Sequence, residues 1–397
     1  MDVIPVMRPW LGAEEAAAIE EVLASGWVAQ GPRVAAFETA TAAALEAAHG
    51  VATTSCTTAL HLAMHALGLG PGDEVVVPSL SFIATANAPR YVGARPVFAD
   101  VDLETQNLTA ETVERALGPA TRAVIVVHQA GMPADLEAIE AVCRPRGVTV
   151  IEDAACAIGS TYRGRPVGSS GNLVALSFHP RKLITSGEGG MLLTDDAELA
   201  ARLRRLRQHG MSVAAYERHE RSRAFMEEYT ELGFNFRMSD LQAAVGLVQL
   251  TKLDAVVAQR RRLADRYRAA LAGTEGLFVP ADPPHGTTNY QSYIVRLDDD
   301  LSVDRDTLMQ RLIDEGISTR RGIMAAHLEP AFAGEAISDL SVTERLTRRS
   351  LILPLFHAMT EADVVRVADS LNTCMAQAGL NPHARRRQPR RVRSGGR

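Results

Sequence analysis

Six short apolar runs recur in the first half of the chain, and helical patterns separate several of them. The runs are EVVVPS, PVFADVD, AVIVVH, VTVIEDAA, LVALSFH and GMLLTD. A strand that is apolar at nearly every position is buried on both faces, which is typical of a parallel sheet covered by helices on each side. The pattern therefore predicts an α/β fold with a mostly parallel sheet flanked by helices.

The segments that form this sheet define a large domain, which we expect to span residues 12–250. A long helical stretch begins at Met238, and its length indicates either a connector between domains or two helices. Strand and helix patterns then alternate again on a smaller scale. They predict a smaller C-terminal α+β domain at residues 254–379, and a chain of 397 residues is long enough for this division.

The last seventeen residues, 381–397, contain seven arginines and no acidic residue, and without them the formal net charge falls from −5 to −12. We expect a basic disordered tail, because the segment has almost no core-forming side chains. Contact with nucleic acid or another acidic surface is the alternative.

Composition also excludes some classes of protein. No apolar stretch approaches the roughly 18 residues of a membrane span, and the N-terminus lacks the pattern of a secretory signal. The four cysteines form no metal-binding spacing, so we expect no metal site. These features predict a cytoplasmic, reduced protein.

Polar side chains stand where the chain leaves several of the predicted strands. They are Ser79, Ser81, His128, Asp153, Ser177 and His179. Ligands of open parallel sheets bind beyond the carboxyl ends of the strands. We therefore expect these side chains to share one rim that faces one crevice.

The segment SFHPRKLITSGEGG places Lys182 on a loop between two predicted strands. A lysine that bonds to an aldehyde needs such a setting, since desolvation or nearby cations must lower its pKa. The hydroxyl residues of 55–58 open a helix, where they act as caps or bind a phosphate. Asp153 either caps a helix or pairs with a cation such as a protonated pyridine nitrogen. Together these parts match a site for pyridoxal phosphate (PLP).

These residues belong to ordered motifs that resemble the DegT/StrS-type aminotransferases. The motifs are GWVAQGPRVAAFE, TTSCTTALHLAMHALGLGPGDEVVVPSLSFIATANA, VIEDAACAIGS, SFHPRKLITSGEGGM and LGFNFRMSDLQAAVGLVQL. The resemblance implies a fold type I PLP-dependent transferase with PLP as its cofactor. It also implies transfer of an amino group from glutamate or glutamine to a keto-sugar, commonly nucleotide-linked, in amino-sugar biosynthesis for antibiotics or polysaccharides.

Carried onto this chain, the resemblance implies that Lys182 bonds to the cofactor and later moves a proton, and that Asp153 pairs with the ring nitrogen. Relatives with histidine in place of the lysine are dehydratases or deoxygenases, so Lys182 favours transamination. The resemblance assigns the remaining cofactor contacts to Cys56, Thr57, Phe82, Ala155, Cys156, Ser177 and Asn235.

Asn235 and Cys156 differ from the other assigned contacts. The resemblance places Asn235 in the partner subunit's site, which requires a homodimer with shared active sites. Many relatives carry glutamine where this chain has Cys156, and a thiol is a weaker hydrogen-bond donor.

The segment GISTRRGIMAAHLEP matches a region that borders the substrate in this family. Arg320, Arg321 and His327 are therefore candidates to bind a diphosphate or sugar hydroxyls. A keto-cyclitol aminotransferase is an alternative, because family members share the cofactor site and differ in the substrate pocket. A nucleic-acid-binding regulator that uses the arginine-rich tail is another, against which the acidic body and the complete cofactor set argue.

Overall fold

The computed structural model describes residues 3–212, 226–335 and 338–377, so the predicted basic tail at 381–397 lies outside the described residues. The α-helices in these ranges are α1 Ala13–Ser25, α2 Pro32–Ala44, α3 Cys56–Ala66, α4 Ile83–Tyr91, α5 Ala110–Ala116, α6 Leu136–Cys143, α7 Ala197–Leu206, α8 Asp240–Thr251, α9 Leu253–Ala270, α10 Arg305–Asp314, α11 Ser341–Arg349 and α12 Glu361–Ala376.

The strands are β1 His49–Thr53, β2 Glu74–Pro78, β3 Arg95–Ala99, β4 Thr121–Val127, β5 Thr149–Asp153, β6 Thr161–Tyr162, β7 Arg165–Pro166, β8 Leu173–Ser177, β9 Gly190–Thr194, β10 Leu277–Phe278, β11 Gly286–Thr287, β12 Tyr293–Leu297, β13 Arg320–Arg321 and β14 Ser350–Leu353.

A seven-stranded sheet with the order β1-β9-β8-β5-β4-β2-β3 forms the centre of the large domain. Strands β8, β5, β4, β2 and β3 run parallel to one another, and β9 is antiparallel to both of its neighbours. The predicted mostly parallel sheet is confirmed. The sequence pattern missed β1, which is not among the six apolar runs.

Apolar side chains on both faces of the sheet explain why its strands are apolar at nearly every position. In β5, Val150 and Ile151 point into different core clusters, and Val75 and Val76 of β2 do the same. Adjacent residues of a strand point to opposite faces, so each strand contributes to both layers. The sheet is therefore buried on both sides, as the sequence predicted.

The smaller C-terminal unit has its own core around the four-stranded sheet β10-β12-β14-β13. Ile4 joins this core and pairs with Ile317, so the N-terminal segment packs on the small unit. The long helical stretch consists of two helices, α8 and α9, with a bend of 56° between them. Among the described residues, no single helix is long and apolar enough to cross a membrane, although α8 and α9 together pass that test by length and composition.

Pairing of β8 with β9 closes the loop that carries Lys182. Ser177 lies opposite Gly190, and the Phe178 N–H donates to the Gly189 carbonyl at 2.9 Å. Leu183 and Ile184, directly after the lysine, are buried in the core. The base of the loop and its far side are therefore fixed, and Lys182 lies between them.

Gly190 is the point where β9 meets the start of α3. A Cβ at this position would lie 2.3 Å from the Ser55 carbonyl carbon and 2.5 Å from the Cys56 nitrogen. Both atoms belong to the backbone, so no side-chain rotation relieves the overlap. The first turn of α3 can pack here only because residue 190 is glycine.

We predict that Gly190→Ala lowers the free energy of unfolding by about 1–3 kcal/mol, because the added methyl overpacks a backbone contact. Denaturant unfolding of the purified variant measures this difference. Gly70→Ala is the control, since a Cβ there meets only the Val92 carbonyl oxygen at 3.9 Å. Equal stability of the Gly190 and Gly70 variants would contradict the prediction.

Candidate active site

A cavity of about 430 Å³ lies at the carboxyl ends of the parallel strands, between the central sheet and the smaller unit. Most residues that the sequence singled out for the cofactor and the substrate line it. They are Cys56, Thr57, Phe82, Asp153, Ala155, Cys156, Ser177, Lys182 and Arg320, together with the rim residues Ser81 and His179. Side chains that are far apart in the sequence thus line the same cavity.

The cavity does not include Arg321 and His327. The ring of His327 is buried and is hydrogen-bonded to Ser79 Oγ at 2.5 Å through Nδ1. Arg321 points to Glu329, 3.6 Å away. Of the three substrate candidates, the structure places only Arg320 at the cavity.

Two expected rim residues, Ser79 and His128, are also absent from the cavity wall. Ser79 is occupied by His327. His128 donates through Nε2 to Glu152 at 2.9 Å and accepts from the Ala134 N–H at 3.0 Å. Both side chains are fully buried and hydrogen-bonded to their neighbours. Neither of them therefore faces the crevice.

Asn235 lies outside the cavity of its own chain. It borders a separate surface pocket with Gly26, Gln208 and Met238, and its Oδ1 accepts from Arg237 Nε at 3.0 Å. Within one chain, Asn235 is therefore not brought together with Lys182.

Asp153 ends β5 and is 5% exposed. Its Oδ2 accepts from Thr85 Oγ1 at 2.9 Å, and its Oδ1 accepts from the Ala155 N–H at 3.2 Å and lies 3.9 Å from Cys56 Sγ. These partners are neutral donors. A nearly buried carboxylate whose hydrogen-bond partners are all neutral favours a cation in the adjacent space, so the site suits a protonated ring nitrogen.

The first turn of α3 forms one end of the cavity. Ser55 caps the helix by accepting from the Thr58 N–H at 3.2 Å, and the Thr58 hydroxyl lies against the Ser55 N–H at 3.0 Å. The Cys56 and Thr57 N–H groups lie in this first turn, where no earlier carbonyl of the helix accepts from them. With the Ser177 hydroxyl in the same wall, these groups fit a phosphate.

Lys182 Nζ donates to Cys156 Sγ at 3.1 Å. Burial alone would lower the pKa of Lys182, but Cys156, Cys56 and Asp153 together outweigh it and hold the pKa above its ordinary value. The sequence argument expected a lowered pKa. The difference arises because the described neighbours that act on this lysine are acidic groups.

Cys56 is itself perturbed by the same surroundings. Burial, followed by the charge of Asp153, raises the pKa of its thiol well above the ordinary value. Of the groups that raise the pKa of Lys182, Cys156 comes first, through its charge and its hydrogen bond, and Cys56 and Asp153 follow.

Sequence reasoning missed several residues of the wall. Thr85, one turn into α4, holds Asp153, and Gln129, Arg181, Glu188 and Gln291 line the cavity. A threonine that follows a rim motif at one helical turn gives a weak signal that could have been found. The glutamines carried no such signal, because nothing in the sequence indicates which elements they meet.

We predict that Cys156→Ala lowers the pKa of Lys182 in the cofactor-free protein. Cys156 raises this pKa, so its removal lets the amine lose its proton at lower pH. The pH profile of Lys182 modification by an amine-reactive reagent, followed by peptide mass spectrometry, gives the midpoint. Cys143→Ala is the control, because this buried thiol is the last residue of α6 and packs in a core cluster that does not include Lys182. An unchanged midpoint in Cys156→Ala would refute the assigned contact.

Comparison with known proteins identifies the relatives of this chain. The model of the DegT/DnrJ/EryC1/StrS aminotransferase family matches residues 9–372. The aminotransferase TlmJ from Streptoalloteichus hindustanus is 41% identical, with 94% of this chain and 99% of that chain covered and a TM-score of 0.87.

Two further solved structures are similar. DesI, solved in the presence of its TDP-sugar product, is 36% identical over 95% of this chain and 94% of that chain, with a TM-score of 0.86. Spr1654 from Streptococcus pneumoniae, solved in PMP and PLP forms, is 25% identical in its PMP form over 94% of this chain and 99% of that chain, with a TM-score of 0.89. The resemblance read from the motifs is confirmed, and the chain belongs to the DegT/DnrJ/EryC1/StrS aminotransferase family.

Proposed function

We propose that this aminotransferase uses PLP to move an amino group from glutamate or glutamine to a nucleotide-linked keto-sugar, in amino-sugar biosynthesis for antibiotics or polysaccharides. The observation that carries the proposal is the cavity in which Lys182, Asp153 and the first turn of α3 share one wall. The PLP and PMP forms of Spr1654 support the choice of cofactor.

When bound, PLP supplies a carbonyl group for bonding to amines and an electron-withdrawing ring. In the proposal, Asp153 pairs with the ring nitrogen, and Thr85 and the Ala155 N–H keep the carboxylate oriented. Phe82, whose side chain is exposed to the cavity, covers one face of the ring, with Ala155 near the other. The remaining contacts are the Cys56 and Thr57 N–H groups and the Thr57 and Ser177 hydroxyls at the phosphate, and Cys156 near the phenolic oxygen.

Lys182 holds and moves the proton in this scheme. Its loop is fixed at both ends, so Nζ stays within the cavity beside Cys156. A positioned amine of this kind acts as a general acid and base when its pKa is matched to the reaction.

The cavity mouth carries the substrate preference. Arg181 and Arg320 line the same space as Glu188, and all three side chains are exposed, so guanidinium groups outnumber carboxylates at the opening. Guanidinium groups bind phosphate with two parallel hydrogen bonds. This charge and the TDP-sugar complex of DesI support a sugar that carries a diphosphate. A keto-cyclitol without phosphate offers these guanidinium groups no anion to bind.

We propose further that two copies of the chain form a dimer in which Asn235 reaches the phosphate of the partner's site. The segment before Asn235 exposes large apolar side chains, with Met226 at 90%, Tyr229 at 62% and Leu232 at 80%. Exposed apolar side chains clustered in this way mark an interaction surface. Burial of this segment by a second copy brings Asn235 toward a cavity that is not its own.

We predict that borohydride fixes the cofactor to the peptide that contains Lys182, and that glutamate or glutamine bleaches the visible absorbance of the wild type. Lys182→Ala gives neither result, because no other lysine lines the cavity within the described residues. Peptide mass spectrometry and absorbance spectra measure the two effects. Lys252→Ala, which alters a lysine bound to Glu14 and Glu15, is the control. A label on any other lysine would overturn the assignment.

We predict that mixing Lys182→Ala and Asn235→Ala subunits restores activity. In a mixed twofold dimer, one site contains both substitutions and the other contains neither. Random exchange makes about half of the dimers mixed, so about a quarter of all sites are intact. Asn235→Ala must first be shown to be severely impaired on its own. Subunit exchange is confirmed by mass labelling, and turnover is then measured. No recovery after confirmed exchange would mean that Asn235 serves its own chain's site.

A further inference from the structure

Gln291 lies in the cavity wall, 8% exposed, just before β12. Hydrogen bonds hold its backbone on both sides. Its N–H donates to Asn289 Oδ1 at 2.7 Å, and its carbonyl accepts from Arg260 Nη2 at 2.7 Å. Both main-chain polar groups of Gln291 are thus hydrogen-bonded, and the side chain leaves the backbone from a fixed point.

Arg260 of α9 provides the anchor for this segment. It is 2% exposed, and its Nε also donates to the Tyr290 carbonyl at 2.9 Å. Burial lowers the pKa of its guanidinium to about 10, so it stays charged near neutral pH. Hydrogen bonds from a charged donor are stronger than neutral ones. They hold Tyr290 in a left-handed conformation, with φ of 51°, which a residue with a side chain rarely adopts.

The side chain of Gln291 extends from this anchor to the lysine loop. Its Nε2 donates to the Arg181 carbonyl at 2.6 Å, immediately before Lys182. Its Oε1 is buried and has no hydrogen-bond partner among the described residues. The bond to the Arg181 carbonyl is thus the one hydrogen bond that the carboxamide makes with them.

Asn289, two residues before Gln291, binds the loop that carries Cys156. Asn289 Nδ2 donates to the Cys156 carbonyl at 2.9 Å and to the Ile158 carbonyl at 2.8 Å. The segment 289–291 therefore binds both the loop that carries Cys156 and the loop that carries Lys182. The 3.1 Å contact between Lys182 Nζ and Cys156 Sγ joins these same two loops.

We propose that Gln291 is a positioning residue for Lys182, which it holds against Cys156 through the Arg181 carbonyl, with Arg260 as the fixed end of the link. This proposal rests on the proposed function, in which Lys182 moves the proton. A packing role alone does not account for the carboxamide, because a methionine of similar shape would fill the wall without leaving Oε1 unpaired.

Gln291→Met tests the link, because it removes the hydrogen bond and preserves the volume. In the cofactor-free protein, we expect the pH midpoint of Lys182 modification to fall, in the same direction as in Cys156→Ala, since Nζ loses its fixed contact with Sγ. In the loaded enzyme, we expect the single-turnover rate with glutamate or glutamine to fall about tenfold, the effect of one hydrogen bond, with the KM of the donor changed less than twofold.

Gln259→Met is the matched control, because Gln259 lies on the same helix as Arg260 and contacts Met359 and Arg262 away from the cavity. The proposal is overturned if Gln291→Met and Gln259→Met give the same modification midpoint and the same rate. It is also overturned if the KM rises by the same factor by which the rate falls. If borohydride fails to label Lys182 in the wild type, the proposed function fails and not this link.

Arg260→Lys tests whether Arg260 anchors Gln291. A lysine cannot donate to two carbonyls in the geometry of a guanidinium, so we expect the same fall in midpoint. Combined with Gln291→Met, it should add less than the two separate changes, because both act on one chain of contacts. Fully additive changes would show that Arg260 does not act through Gln291.

Discussion

The close backbone contact between Gly190 and Ser55 is the constraint on which the rest of the site depends. It brings the antiparallel strand β9 against the first turn of α3, with room for hydrogen alone at residue 190. Ser177 is paired with Gly190 in the same register, so one position fixes three parts of the cavity. These parts are the N–H groups of α3, the Ser177 hydroxyl and the base of the lysine loop.

A single antiparallel strand in a parallel sheet therefore has a direct chemical consequence. A parallel connection after β8 would need a crossover of a dozen or more residues, and the lysine would be carried away from the strand end. The antiparallel return of β9 keeps the loop short and returns the chain beside Ser177. Lys182 thus stays at the same edge of the sheet as Asp153, which ends the neighbouring strand β5.

The fold could be predicted largely from the sequence, and the wall of the cavity in good part. The six apolar runs became strands because each has side chains for both faces, and the rim residues Asp153 and Ser177 followed from the strand ends. What failed depended on packing partners that periodicity does not reveal. In the sequence, His327 looks like an exposed polar residue in a loop. In the structure its ring is buried, with Ser79 and Glu344 as partners of its two nitrogens. Strand β1 was missed because its pairing with β9, and not its own pattern, defines it.

The pKa of Lys182 depends on neighbours that the sequence does not reveal. From the sequence alone, a buried lysine should lose its proton easily, because burial disfavours the cation. In the folded chain, Cys156, Cys56 and Asp153 outweigh the effect of burial, and the pKa of Lys182 is raised. Pairing of Asp153 with a cation removes part of the negative charge that holds this proton. A cation in the space beside Asp153 therefore shifts this balance toward the neutral amine, whereas the contact with Cys156 continues to favour the charged form.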